Sequence, residues 1–202
     1  MNIISKFFVV FFGISLAPVA LAGGNERARR FNVSLNPLSL ISGALSTGFE
    51  WRAADHLTMG PYLHYDASGS GDNQTSNIGL GFRTDYAFSG VFNDGWYVSP
   101  FISRYSFKGH NASTDTTNGA NTTIASQYEY DALNIGAVAG YGWYWSSGFN
   151  LRLGAGLMHT TLSGDFSISD DSSSGANPII GSNDSPASGL LPTGELIFAW
   201  AF

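Results

Sequence analysis

Residues 78–88 read IGLGFRTDYAF. One set of alternate positions is Ile78, Leu80, Phe82, Thr84, Tyr86 and Phe88; the other is Gly79, Gly81, Arg83, Asp85 and Ala87. A period of two places successive side chains on opposite faces of a strand. The two faces here differ in an unusual way. A soluble half-buried strand hides its large residues and shows water a row of polar ones. In this stretch the face opposite the large residues carries glycine and isolated charges.

The same contrast recurs along the chain. In residues 149–157, Phe149, Leu151, Leu153, Ala155 and Leu157 alternate with Asn150, Arg152, Gly154 and Gly156. In residues 133–145, Leu133, Ile135, Ala137, Ala139, Tyr141, Trp143 and Trp145 alternate with Asn134, Gly136, Val138, Gly140, Gly142 and Tyr144. Large apolar residues facing lipid, with small or polar ones facing a narrow lumen, account for both faces at once. Spanning strands need about 9–11 residues and must close into a barrel, because hydrocarbon cannot satisfy an open edge. Inner-face glycines leave room in a crowded interior. Trp51, Tyr65, Tyr86, Trp96, Tyr97, Tyr105, Tyr128, Tyr130, Trp143 and Trp145 fit aromatic girdles at the two interfaces.

The pattern predicts strands over 31–41, 43–53, 56–66, 76–88, 95–108, 126–145, 149–166 and 189–202, an all-β, eight-stranded antiparallel up-and-down transmembrane β-barrel. Tight connections are expected near Ser42, at Ala54-Asp55, over 89–94 and over 146–148. Longer polar loops are expected over 67–75, 109–125 and 165–188. Short turns on one side and long loops on the other place both termini in the periplasm. Pro37, Pro61 and Pro100 fall inside these strands, and proline removes a ladder donor. They should therefore mark strand ends, bulges or local gaps.

Composition agrees. Charged residues make up 12% of the 202, about half the ~25% of an ordinary soluble domain. The net charge is -6, with nine Lys and Arg against fifteen Asp and Glu. So acidic a chain is a poor partner for nucleic acid. The absence of cysteine excludes a disulfide scaffold, thiol catalysis and lipoprotein acylation. Residues 1–22 have the form of a signal peptide: Lys6, the apolar run FFVVFFGISL over 7–16, Pro18, then Ala20-Leu21-Ala22. Residues 23–30 (GGNERARR) are expected to be a periplasmic lead-in and 31–202 the barrel.

The chain ends ELIFAWAF, with Leu196, Phe198, Trp200 and Phe202 on one face. A terminal aromatic behind alternating large apolar residues resembles the β-signal read by the barrel-assembly machinery, which docks an exposed strand by edge pairing. From about Phe31 onward the chain is similar to the small eight-stranded outer-membrane barrels of Gram-negative bacteria, the OmpA-transmembrane-domain and OmpX-like class. Asn36-Pro37-Leu38-Ser39-Leu40 and Gly48-Phe49-Glu50-Trp51-Arg52 also resemble a family of uncharacterised bacterial barrels. The resemblance implies an outer-membrane location, membrane lipid and lipopolysaccharide as surroundings, the assembly machinery as a partner in biogenesis, and a monomer.

Alternation places Glu50, Arg52, Arg83, Asp85, Arg104, Arg152 and Glu195 on the inner face. Unpaired charges in a low-dielectric interior are costly, and Arg–carboxylate forks satisfy one another. An eight-stranded interior is just wide enough for side chains to fill, so these residues are expected to form an ion-pair plug. The expected role is structural, or interaction through the surface loops.

Two alternatives are a lipid A- or phospholipid-modifying enzyme and a small pore. Barrel deacylases resemble a His-x-Ser motif, and both His159-Thr160-Thr161 and His110-Asn111-Ala112-Ser113 lack that spacing. His64 and Asp66 share a face without a third member. Asp165, Asp170, Asp171 and Asp184 lack EF-hand spacing. No catalytic residue, metal ligand or cofactor is therefore assigned.

Overall fold

A computed structural model describes residues 29–41, 43–70, 73–115, 122–170, 179–181 and 187–202. The expected signal peptide and residues 23–28 of the lead-in lie outside the described residues. The chain forms β1 (Phe31–Leu35), a one-turn helix α1 (Pro37–Ile41), β2 (Leu45–Ala54), β3 (Leu57–Ser70), β4 (Asn73–Ala87) and β5 (Gly95–Asp115). Then follow β6 (Thr122–Tyr144), β7 (Phe149–Asp170), the short β8 (Ile179–Gly181) and β9 (Ala187–Ala201).

Each strand from β1 to β7 pairs antiparallel with the next. β9 pairs with β7 on one edge and with β1 on the other. The ring is thus a closed eight-stranded antiparallel up-and-down barrel. Among the described residues β8 pairs with the far end of β7 alone, beyond the stretch of β7 that β9 takes. Phe202 follows β9 and still exchanges two backbone hydrogen bonds with Phe31.

The prolines explain several boundaries. The first strand ends at Leu35, not at 41, and the connection near Ser42 is a helical turn. Asn36 caps it, its Oδ1 accepting from Leu38 N at 2.9 Å, and Pro37 takes the first helical position, where its missing N–H costs nothing. Pro61 sits where the β2–β3 ladder is interrupted between Gly48↔Tyr62 and Trp51↔Met59. Pro100 sits where the β4–β5 ladder is interrupted between Arg83↔Phe101 and Tyr86↔Val98.

The polar end differs from expectation. Residues 67–70 and 73–75 are strand, as are 109–115 and 122–125. Ser- and Thr-rich stretches read as loops because both faces are polar. Once a hairpin's register is fixed, however, its ladder can continue beyond the apolar belt without needing an apolar face.

The outward rows are apolar around the ring. Leu80 is 63% exposed, Ile135 55%, Leu157 55% and Leu190 65%. Trp96, Trp143 and Trp145 face outward at the end that holds the short turns and the C-terminus. Tyr97 and Tyr105 depart from the expected girdle. Tyr97 is 4% exposed and bonds to an inner-face carboxylate, and Tyr105 lines the lumen. Inner glycines make room for such rings. A Cβ on Gly81 would collide with the Tyr62 ring, and one on Gly140 or Gly154 with the Tyr97 hydroxyl.

Candidate functional site: the barrel lumen

The lumen has three layers, and inward-facing rows from different strands build each one. At the turn end, the 88–94 connection folds inward. Val91 and Phe92 are buried and pack with Ala201 and Tyr144. Val91 N donates to Asp55 O at 2.9 Å, which ties this turn to the β2–β3 turn. Phe92 adopts φ 63°, a conformation uncommon outside glycine and asparagine, and its ring lies 6.2 Å from that of Tyr144. Arg29 reaches across the same mouth, donating from Nη2 to Ser146 O at 2.5 Å.

Above this floor lies a charge cluster. Glu50 of β2, Arg83 and Asp85 of β4, Arg152 of β7 and Glu195 of β9 meet across the barrel axis. Arg83 donates Nη1 to Glu195 Oε2 at 2.9 Å and Nη2 to Glu195 Oε1 at 3.2 Å, a two-pronged fork. Its Nε donates to Asp85 Oδ1 at 2.9 Å. Arg152 donates to Glu50 Oε1 at 2.5 Å and also to Asp85 Oδ2.

Neutral groups fill the remaining acceptor positions. Tyr97 OH donates to Glu195 Oε1 at 2.7 Å, Ser99 Oγ donates to Asp85, and Asn32 Nδ2 donates to Glu50 Oε2 at 3.0 Å. Asn150 in turn donates to Asn32 Oδ1 at 3.0 Å. The side chains of Arg152 and Glu50 are each 2% exposed. So dense a set of charge-assisted bonds offsets the desolvation that would make lone ions intolerable.

Two arginines expected in this cluster are elsewhere. Arg52 is on the inner row, but two residues nearer the turn, where Nη2 meets Asp55 Oδ1 at 2.6 Å. Arg104 is on the outer face. Its side chain is 72% exposed and pairs with Asp131 at 2.7 Å. Large residues occupy both faces of β5, so alternation there does not reveal which face is inner. The expected cluster, drawn from ionisable residues alone, also leaves out Asn32, Tyr97, Ser99 and Asn150. Asn32 and Asn150 lie on inward rows, and that was the available signal.

Beyond the charge cluster, toward the polar end, the lumen widens into a cavity of about 320 Å³. Arg83 and Glu195 line it together with Tyr62, Phe101, Ser103 and Tyr105. His64 faces this side, its ring 5.5 Å from that of Tyr105. His159, opposite Leu190 on β9, faces outward. Among the described residues no three His, Asp or Glu side chains are grouped to hold a metal ion.

The terminal row is also in place. Phe198 and Phe202 are 40% and 39% exposed on the outer wall, with Leu196 and Trp200 half-buried beside them. Phe202 packs on Phe31 at 6.0 Å, and Phe149 meets both Phe198 and Trp200.

Residues 10–169 match the model of a family described as Protein of unknown function (DUF3575). The chain belongs to this family. No curated protein and no solved structure matches it. Within the DUF3575 match fall β1 to β6, nearly all of β7, and Glu50, Arg83, Asp85 and Arg152. Glu195 and the terminal aromatic row lie beyond it.

Proposed function

We propose that this DUF3575 protein is a monomeric integral outer-membrane barrel of the OmpA-transmembrane-domain and OmpX-like kind. In this proposal residues 1–22 direct export, the barrel-assembly machinery reads Leu196, Phe198, Trp200 and Phe202, and both termini are periplasmic. Membrane lipid surrounds the wall, with lipopolysaccharide in the outer leaflet. The role is structural or interactional, carried by the polar end of the barrel, and is not catalytic. The observation that carries the proposal is the outward display of Leu, Ile, Phe and Trp on strand after strand of a closed barrel, interrupted by a few polar residues such as the Arg104–Asp131 pair. So large an apolar surface is an aggregation hazard in water and a fit for lipid.

The lumen does not conduct in this account. Its axis is crossed by the Arg83–Glu195 and Arg152–Glu50 pairs, with Phe92 beneath them. Cell fractionation with heat-modifiable gel mobility tests the location: the protein is expected in the outer-membrane fraction, migrating anomalously until boiled. Recovery as a soluble periplasmic monomer would overturn it. Planar-bilayer recording of purified monomer tests closure, and stable, reproducible channels would favour a pore. A lipid A mass spectrum should be the same with and without expression.

A further inference from the structure

The barrel wall is not of even height. β1 has 5 residues, which at about 3.4 Å each reach roughly 17 Å, short of the ~9–11 residues of a spanning strand. It pairs with β9 only between Asn32↔Ala201 and Leu35↔Phe198. Above Phe198, β9 continues to Ala187 with β7 on one edge and, among the described residues, no strand on the other. Across the gap, β2 ends at Leu45 opposite Tyr65. Among the described residues the far end of β3 therefore has no strand on that side either, and α1 sits at the foot of the gap against β2 and β9.

The residues at the gap suit a permanent opening. Phe202 and Phe31 exchange both backbone bonds, so even-numbered residues of β9 aim their backbone groups toward the β1 side. Above Phe198 these include Leu196, Gly194 and Pro192. Proline has no N–H to leave unpaired, and within sheets it is confined to free edges, strand starts and bulges. A Cβ on Gly194 would meet only Gly154 O, at 3.6 Å. Irregular or unpaired backbone at membrane depth is tolerated where it lines a water-filled cavity. The 320 Å³ cavity supplies one: Ser34 and Asn36 line it from one lip of the gap, Thr193 and Gly194 from the other.

The chemistry differs inside and outside. Outside the gap, α1 shows Leu38 51% and Ile41 84% exposed. Inside, Asn77 Oδ1 and Asn134 Oδ1 have no hydrogen-bond partner, and both residues line the cavity. Arg83 and Glu195 line its floor, and beneath them lies the rest of the charge cluster, in which three carboxylates in all face two guanidinium groups. Unsatisfied acceptors above a cluster of net negative charge favour a donor-rich cation, and the rings of Tyr62 and Tyr105 add faces that attract one.

We propose that the cavity and its side opening bind an amphiphile with a primary ammonium head and one alkyl tail, the head in the lumen and the tail passing through the gap into lipid. This rests on the membrane location argued above. The test uses protein refolded into phosphatidylcholine vesicles at pH 7 and dodecylamine carrying a diazirine on its chain. Flotation of the vesicles is read first. A barrel that does not float refutes membrane embedding and this proposal with it. For a floating barrel, adducts should concentrate at residues 34–41 and 190–197. Excess plain dodecylamine should suppress them about tenfold, and dodecanoate, repelled by the floor, should not. Thr193→Trp, which narrows the opening, and Asn134→Leu, which removes an acceptor, should each cut these adducts while general labelling of the outer wall persists. Even labelling around the barrel, equal competition by dodecanoate, or unchanged adducts in both variants would overturn the side opening and leave the barrel's location standing.

Discussion

Arg152 holds Glu50 and Asp85 together from a position that water scarcely reaches. Removing one partner of such a set leaves an uncompensated buried charge. Arg152→Ala is therefore expected to destabilise the folded barrel by about 3–5 kcal/mol. Replacing Arg152 with Met and Glu50 with Leu together should cost less than the two single changes added, because charge and counter-charge leave together. Urea titration of vesicle-embedded protein measures both; additive losses would show that the two residues do not act as a pair. Alternation in the sequence was enough to find Glu50, Arg83, Asp85, Arg152 and Glu195, since face follows from a period of two. It gave no height along the axis, which depends on the stagger between strands, and so it grouped Arg52 with residues it does not reach. It missed Tyr97 because an inward tyrosine and a girdle tyrosine look alike until the strand's face is known.

Two connections shape the ends of the barrel. The first is α1, whose cap is Asn36. Asn36→Ala should cost about 1 kcal/mol, seen as a lower urea midpoint with an unchanged slope; no change would show that the cap is dispensable. The second is the 88–94 turn. Its length suggested a simple hairpin connection, and nothing in the one-dimensional pattern shows that Val91 and Phe92 fold back under the lumen. Phe92 is 3% exposed, so Phe92→Ala is expected to cost about 3–5 kcal/mol by the same titration. A loss within 0.5 kcal/mol, roughly what a surface change gives, would contradict its burial. The Phe202 ring lies on the outer wall, where truncation forfeits apolar burial of at most about 1.5–3 kcal/mol. If the assembly machinery reads it, deleting Phe202 should lower outer-membrane levels sharply while protein refolded in detergent still forms the barrel. Equal losses in cells and in vitro would make Phe202 a stability residue only.

For the molecule as a whole, strand number and pairing order were legible because each strand needs two distinct faces and an even ring needs no edge. What stayed illegible was the uneven wall. Residues 31–41 carry enough apolar side chains to pass for a spanning strand, and only the Asn36-Pro37 cap shows where β1 stops. The central claim is that the outward rows face hydrocarbon. The chain has no native cysteine, so a nitroxide can be placed singly at each position from 78 to 88 on β4. In refolded, vesicle-embedded protein, collision with oxygen and with a water-soluble nickel chelate should then alternate with a period of two. Ile78, Leu80, Phe82 and Tyr86 should favour oxygen and exclude nickel, and Gly79, Gly81 and Arg83 should show little access to oxygen. Equal access of the nickel chelate to the outward positions would mean that this face meets water, and the barrel would not be a membrane protein.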